Sequence, residues 1–99
     1  MPARAADLAE IDTFCDALWL EDGLAKATLD SYRSDLGRLA LWLADNAGEP
    51  LLDLRETALT AFIAHLSRQT RASSQARYLS TLRRFYRWQL ARGRIVADP

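Results

Sequence analysis

Apolar side chains recur at intervals of three and four residues along most of this 99-residue chain. The pattern is clearest near the C-terminal end, where one stripe lies within about 60° of a single direction at 100° per residue. Its members are Tyr78, Leu79, Leu82, Phe85, Tyr86 and Gln89. No segment alternates convincingly between apolar and polar residues, as a half-buried strand would. The periodicity therefore predicts an all-α protein.

Four helices are predicted, each with residues typical of helix ends. They run from about Asp7 to Asp22, from Thr28 to Ala47, from Asp53 into the polar stretch 67–72, and from Ser73 to Arg92. The predicted N-terminal caps are Asp7, Thr28, Asp53 and Ser73 or Ser74. Gly23, Gly48 and Gly93 are the predicted stops. Because the connecting loops are short, we expect a compact bundle of four helices.

The buried faces follow from the same spacing. On the first helix they are Leu8, Ile11, Phe14, Cys15 and Leu18; on the second Leu29, Tyr32, Leu36, Leu39, Ala40 and Leu43; on the third Leu59, Phe62, Ile63 and Leu66. Cys15, Tyr32, Tyr78 and Tyr86 are therefore predicted to be core residues and not nucleophiles.

Groups that could carry catalysis or bind a metal are scarce. One cysteine and one histidine, His65, exclude a disulfide framework and any multi-Cys or His-rich metal site. The chain has no Gly-rich phosphate loop, no G-x-S-x-G and no H-E-x-x-H. It also has no apolar run near the ~20 residues that span a bilayer, and no apolar stretch in residues 1–7. We expect a cytoplasmic protein with no catalytic residue, metal, cofactor, membrane contact or small-molecule ligand.

The charged residues are distributed unevenly, although the formal net charge of the chain is zero. Residues 1–56 carry a formal charge of −7 and residues 57–99 one of +7. A basic C-terminal half is typical of a protein with a polyanionic partner. An internally neutralised domain, with basic helices against acidic ones, would have the same distribution.

The fourth helix has a basic face opposite its apolar stripe. Ser73, Arg77, Ser80, Arg84 and Arg87 lie there, Arg83 flanks them, and the helix contains no acidic residue. A solvated helix usually mixes charges of both signs, because opposite charges one turn apart stabilise it. Arginine also suits bidentate contact with phosphate or guanine. Ser73, Ser74 and Gln75 add free amide donors at the N-terminus. These features favour a DNA-binding face over a plain solvated one.

The second helix has a smaller polar face of the same kind. Lys26 and Thr28 lead into it, and Ser31 and Arg38 lie on it. Small hydroxyls beside a base allow close approach to a sugar-phosphate backbone, and an ordinary polar face has the same appearance. The candidate DNA-binding residues are therefore Lys26, Thr28, Ser31, Arg38, Ser73, Ser74, Gln75, Arg77, Ser80, Arg84 and Arg87.

Several segments, in order and at the right spacing, resemble a known family. They are Leu18-Trp19-Leu20-Glu21, Leu24-Ala25, Thr28-Leu29, Tyr32-Arg33, Asp35-Leu36, Trp42-Leu43, the run from Ser73 to Tyr86, and Asp98-Pro99. Together they resemble the N-terminal core-binding domain of tyrosine recombinases of the phage integrase and Xer family, over essentially the whole chain.

The resemblance implies a SAM-like four-helix domain spanning residues 1–99, with 96–99 beginning the linker to an absent C-terminal catalytic domain. Such domains clamp double-stranded DNA while the catalytic domain cuts and rejoins it through a phosphotyrosine. The full-length protein would be a recombinase that resolves chromosome dimers with a XerC-like partner. His65 and Arg68 have the family's H-x-x-R spacing, but on a core-binding helix we regard the match as coincidental.

One alternative function comes from a different class. The chain could be a protein–protein interaction bundle whose basic face binds an acidic partner. Salt dependence separates the two, because binding through Z phosphate contacts weakens with a slope near −0.9Z in log K against log salt.

Overall fold

A computed structural model describes residues 2–46 and 48–99. This part of the chain contains four α-helices, one short 3-10 helix and no strand. The α-helices are α1 (Ala5–Asp22), α2 (Lys26–Asn46), α3 (Glu56–Ser67) and α4 (Ala72–Ala91), and the 3-10 helix is Leu51–Asp53. The all-α class and the four predicted helices are confirmed. The predicted last residue of the second helix, Ala47, lies outside the described residues.

The predicted C-terminal stops are confirmed. Gly23, Gly48 and Gly93 all have a positive φ, which glycine adopts without steric cost. At the end of α4 the Gly93 amide donates to the Leu90 carbonyl at 3.0 Å, and the Arg94 amide donates to the Gln89 carbonyl at 3.0 Å. This pair of bonds satisfies carbonyls that the helix leaves without an internal partner.

The predicted N-terminal caps are wrong. The residues before α1, α3 and α4 are Arg4, Arg55 and Arg71, whose extended backbones start the helices without a side-chain cap bond. Asp7 and Thr28 lie inside their helices, and Asp53 ends the 3-10 helix instead of starting α3. Ser73 and Ser74 lie in the first turn of α4. A cap contributes only about 1 kcal/mol, so packing of the neighbouring residues decides where each helix begins.

The chain divides into two compact units, Met1–Pro50 and Leu51–Pro99. In the first unit a short loop at residues 23–25 connects α1 and α2, and the two helices pack against each other. The Phe14 and Tyr32 rings stack with centroids 6.2 Å apart, and Arg33 forms an ion pair with Asp12. Residues later in α1 meet residues earlier in α2, so the two helices are antiparallel.

The second unit contains the 3-10 helix, α3 and α4. The turn between α3 and α4 is held by the Thr70 hydroxyl, which donates to the Leu66 carbonyl at 2.8 Å. The Gln75 side-chain amide donates to the Thr70 carbonyl at 3.2 Å. The buried hydroxyl of Tyr86 donates to the Leu51 carbonyl at 2.8 Å. These bonds fix α4, which carries most of the candidate site.

Most of the predicted core is buried, with a few corrections. Leu8 is 45% exposed, and Tyr32, Leu59, Ile63 and Leu79 are only half-buried. Among the described residues, the predicted buried faces also lack six residues that are buried: Asp7, Asp35, Leu51, Leu54, Ala58 and Thr81. In α1 the buried stripe contains Asp7 in place of Leu8, because the helix turns the carboxylate inward, where Arg4 approaches it at 3.7 Å. A hydrophobic pattern cannot anticipate a buried carboxylate.

Candidate nucleic-acid interface

The predicted DNA-binding residues of α4 all remain at or near the surface. Ser73, Arg77, Ser80 and Arg87 are exposed, and Ser74, Gln75 and Arg84 are half-buried. The opposite side of the helix is the core face, with Tyr78, Leu82, Phe85, Tyr86 and Gln89 all buried. The apolar face thus sets the rotation of α4 and turns its arginines outward.

Three arginines of α4 share one shallow depression. Ser80, Arg83, Arg84 and Arg87 line it, at positions i, i+3, i+4 and i+7 of the helix. Side chains at this spacing stack on one face. Like charges three or four residues apart destabilise an isolated helix by about 0.2–0.5 kcal/mol per pair, so a bound anion would relieve this repulsion. The depression brings together Ser80, Arg84 and Arg87 from the predicted set.

Arg83 was missed as a member of this site, although the sequence contains a signal for it. On a helical projection Arg83 flanks the basic face, and it is not among the DNA-binding residues predicted from the sequence. The structure leaves Arg83 exposed and places it in the depression. A long arginine side chain reaches well beyond the position of its Cβ, so a flanking residue can complete the face.

The arginines of α4 differ in what they contact. The Arg77 guanidinium carbon lies 4.8 Å from the centroid of the Tyr78 ring, and that of Arg92 lies 4.2 Å from the centroid of the Trp88 ring. Both are in cation–π range. Within residues 2–46 and 48–99, by contrast, the guanidinium groups of Arg83 and Arg87 have no hydrogen-bond or ion-pair partner.

The N-terminus of α4 is a second polar region of the same helix. The first amides of an α-helix have no carbonyl partner within the helix and mark its positive end. Ser73 is exposed there and Ser74 is half-buried. The prediction of a free backbone amide at Gln75 is wrong, because that amide donates to the Arg71 carbonyl at 3.1 Å, and the side-chain amide of Gln75 donates to the Thr70 carbonyl. The side-chain bond stabilises the turn before α4.

The four predicted residues of α2 belong to the other unit of the chain. Lys26 and Ser31 are exposed, and Thr28 and Arg38 are half-buried. Lys26 is the first residue of α2, so its charge lies at the positive end of the helix dipole, where it is unfavourable in isolation. Their part in a DNA interface stays a prediction.

An apolar groove borders the basic depression in the second unit. Leu59, Leu79, Leu82, Arg83, Tyr86, Arg87, Asp98 and Pro99 line it. Arg83 and Arg87 line both features. Asp98 is the one carboxylate among the lining residues of either feature.

The cysteine and two of the three tyrosines are buried, and the remaining tyrosine and the histidine are half-buried. Cys15 is buried, and that burial raises the pKa of its thiol from 9.0 to about 11, with the carboxylates of Asp16 and Asp30 adding to the shift. A thiol with such a pKa is inert near neutral pH. Tyr78 and Tyr86 are buried, while Tyr32 and His65 are half-buried. Within the described residues, no group of three or more His, Cys, Asp or Glu side chains could hold a metal ion.

No described helix combines the length and apolar character that crossing a membrane requires.

Comparisons with known proteins give one consistent result. The profile of the phage integrase N-terminal SAM-like domain matches residues 11–93. Tyrosine recombinase XerD of Ralstonia nicotianae is 39% identical over 99 residues, covering 100% of this chain and 32% of the relative. XerD of Pseudomonas aeruginosa is 46% identical over 90 residues, covering 90% of this chain and 30% of the relative. XerD of Xanthomonas campestris is 44% identical over 99 residues, covering 99% and 30%.

The chain therefore spans about a third of the length of these curated relatives. The likeness to XerD in particular, which the segment from Ala17 to Glu21 predicts, is confirmed by these matches. No solved structure matches the chain significantly.

Proposed function

Because the chain belongs to the phage integrase N-terminal SAM-like domain family, we propose that it is the DNA-binding module of a XerD-like site-specific tyrosine recombinase. In this role it clamps duplex DNA at the recombination site during DNA integration and the resolution of chromosome dimers. Cutting and rejoining of strands belong to a catalytic domain outside these 99 residues.

One observation supports the DNA-binding role most strongly: α4 presents arginines on one face and contains no acidic residue. Phosphate contacts by arginine release counterions from DNA and supply most of the sequence-independent affinity. Because guanidinium groups can also read guanine edges in the major groove, one such helix can serve both purposes. The Lys26, Thr28, Ser31 and Arg38 side chains of α2 are proposed as additional backbone contacts.

The remaining features of the full-length protein are proposals from the family. The relatives are named tyrosine recombinases, and this chain covers only a third of their length. We propose that the 99 residues by themselves carry no catalytic group. The complete protein would act in the cytoplasm, on chromosomal DNA, with a XerC-like recombinase as its partner.

Titration of labelled duplex DNA tests the binding role. The 99-residue chain is expected to bind duplex weakly at low salt and much more weakly at physiological salt, with little sequence preference, because a single module of this size buries little surface. An acidic polypeptide with the same net charge as the DNA duplex serves as the control. It tests the alternative that the chain is a protein–protein interaction bundle with an acidic partner. Absence of duplex binding at low salt, or stronger binding to the polypeptide, contradicts the proposal.

A suicide DNA substrate tests the proposed division between binding and catalysis. The chain is expected to form no covalent adduct with it, since Tyr78 and Tyr86 are buried and the half-buried Tyr32 stacks on Phe14. An adduct that disappears on changing Tyr32, Tyr78 or Tyr86 to Phe would place the catalytic tyrosine within this chain.

A further inference from the structure

We propose that the depression formed by Ser80, Arg83, Arg84 and Arg87 is a seat for one tetrahedral oxyanion, a backbone phosphate when duplex DNA is bound. Arg83 and Arg87 supply its principal contacts, and Arg77 has a lesser role. The identity of the phosphate rests on the proposed function, whereas the seat itself rests on the geometry of α4.

The first support is the convergence of donors. The four lining residues follow one another at i, i+3, i+4 and i+7, so they lie on a single face over two helical turns. Three guanidinium groups and one hydroxyl can all donate hydrogen bonds, and guanidinium groups can do so in pairs to phosphate oxygens. A phosphate accepts several hydrogen bonds at once, which matches this set of donors.

The second support is that two of these guanidinium groups are available. Arg83 and Arg87 are exposed and have no hydrogen-bond or ion-pair partner within the described residues. Arg77 differs, because its guanidinium lies against the Tyr78 ring at 4.8 Å. A phosphate contact by Arg77 would have to compete with that stacking, whereas contacts by Arg83 and Arg87 would not displace any described partner.

The third support concerns the carboxylate nearby. Asp98 lines the neighbouring apolar groove together with Arg83 and Arg87. In the described part of the chain Asp98 forms no ion pair with either arginine. Its negative charge nevertheless lowers the positive potential of the seat, because Asp98 lines the same groove as two arginines of the seat. Removal of this charge should therefore strengthen anion binding.

If the seat exists, Arg83 and Arg87 contribute more to phosphate binding than Arg77 does. Three variants that each remove one positive charge test this difference. They are Arg83→Gln, Arg87→Gln and the matched control Arg77→Gln. Duplex affinity of the 99-residue chain is measured across a series of salt concentrations. Arg83→Gln and Arg87→Gln should each reduce the slope of log K against log salt by about 0.9, the value for one phosphate contact. Arg77→Gln should change it by less.

A second measurement uses inorganic phosphate alone. It is titrated into the protein while the side-chain Nε–Hε resonances of the arginines are followed by NMR. Arg83 and Arg87 should shift together and saturably, Arg77 should shift less, and Asp98→Asn should lower the midpoint of the titration. Circular dichroism of each variant checks that α4 is still folded, which is expected for exposed positions.

The outcomes separate the seat from the proposed function. If inorganic phosphate shifts Arg83 and Arg87 but duplex DNA does not bind, the seat stands and the proposed function fails. If duplex binds while Arg77→Gln reduces the slope as much as Arg83→Gln, or while inorganic phosphate shifts all arginines equally, the proposed function stands and the seat is wrong.

Discussion

The two units of this chain are built alike but carry opposite charge. Each contains two α-helices joined by a short loop and buries at least one phenylalanine completely. Residues 1–50 contain ten acidic and four basic side chains, whereas residues 51–99 contain three acidic side chains and nine arginines. The formal charges are therefore −6 and +6. The difference shows that two helical pairs with similarly buried cores can carry opposite formal charges.

The two units also share a way of fixing a distant segment. In the first unit the Arg4 guanidinium donates to the Glu49 carbonyl at 2.7 Å, across 45 residues. In the second, the Tyr86 hydroxyl donates to the Leu51 carbonyl at 2.8 Å, across 35 residues. One donor is charged and part-buried, the other neutral and buried. The same structural role is thus filled by different chemistry, in keeping with the different charge of each unit.

The largest expected effect tests whether the two cores are equivalent. Phe14 and Phe85 are both 0% exposed, one in each unit. Phe14→Ala and Phe85→Ala should each lower the free energy of unfolding by about 3–5 kcal/mol, the usual loss for a buried aromatic residue. Chemical denaturation of the three proteins measures this. A loss below about 1 kcal/mol in either variant would contradict the equal construction of the two units.

The next effect concerns a group that only the first unit contains. The pKa of the Cys15 thiol is raised from 9.0 to about 11 by burial, so the folded state holds the proton more tightly than the unfolded state. The stabilisation is complete below pH 9 and is lost as the pH rises from 9 to about 11. Two pKa units correspond to roughly 2–3 kcal/mol.

The Cys15→Ala variant isolates that contribution. The stability difference between the native protein and Cys15→Ala should be constant below pH 9 and should shrink between pH 9 and 11, because all other titrating groups are common to both. Denaturation at a series of pH values measures it. A difference that stays constant up to pH 11 would show that the thiol is not shielded.

A smaller effect compares the two long-range hydrogen bonds. Tyr86→Phe removes the bond to the Leu51 carbonyl and leaves a buried acceptor without it, so it should cost about 1–3 kcal/mol. Arg4 also pairs with the buried Asp7 carboxylate, so Arg4→Met is compared with the native arginine in an Asp7→Asn background. There it removes the part-buried bond to the Glu49 carbonyl and should cost less than Tyr86→Phe. Thermal unfolding of both variants measures the two losses of stability. A larger loss for Arg4→Met than for Tyr86→Phe would contradict the prediction.

The smallest expected effect on stability is on the proposed DNA-binding face of α4. Arg77→Ala removes a cation–π contact with Tyr78 at an exposed position and should lower stability by no more than about 1 kcal/mol. Thermal unfolding measures the change. If Arg77→Ala unfolds the protein, Arg77 is a structural residue and its place in the DNA-binding set is wrong.

The sequence predicts the helices and their C-terminal ends well, for a physical reason. At Gly23 and Gly93 a helix ends in a positive φ that glycine adopts easily, so a glycine after a periodic stretch is a specific signal. The N-terminal ends are predicted poorly. Asp7 and Thr28 have the right chemistry for caps, but Asp7 is buried inside α1 and Thr28 lies within α2. The free energy gained by packing these helices exceeds the contribution of about 1 kcal/mol from one N-terminal cap.

The candidate site also contains residues that the sequence predicts and contacts that it does not. The basic face of α4 was predictable, because helical periodicity places Ser80, Arg84 and Arg87 opposite the buried stripe. The role of Arg83 and the contacts of Arg77 and Gln75 were not. They depend on side-chain reach, on ring stacking and on a bond to the Thr70 carbonyl, none of which a projection of the sequence contains.

The most direct test of the central claim maps duplex DNA onto the backbone amides of the whole 99-residue chain by NMR. Chemical-shift changes should concentrate on the exposed face of α4, from Ser73 to Arg87, with smaller changes near Lys26 and Arg38 on α2. The acidic helix α1 should remain unperturbed and the changes should diminish as salt is raised. Changes that concentrate on α1, or that leave α4 unaffected, would contradict the account.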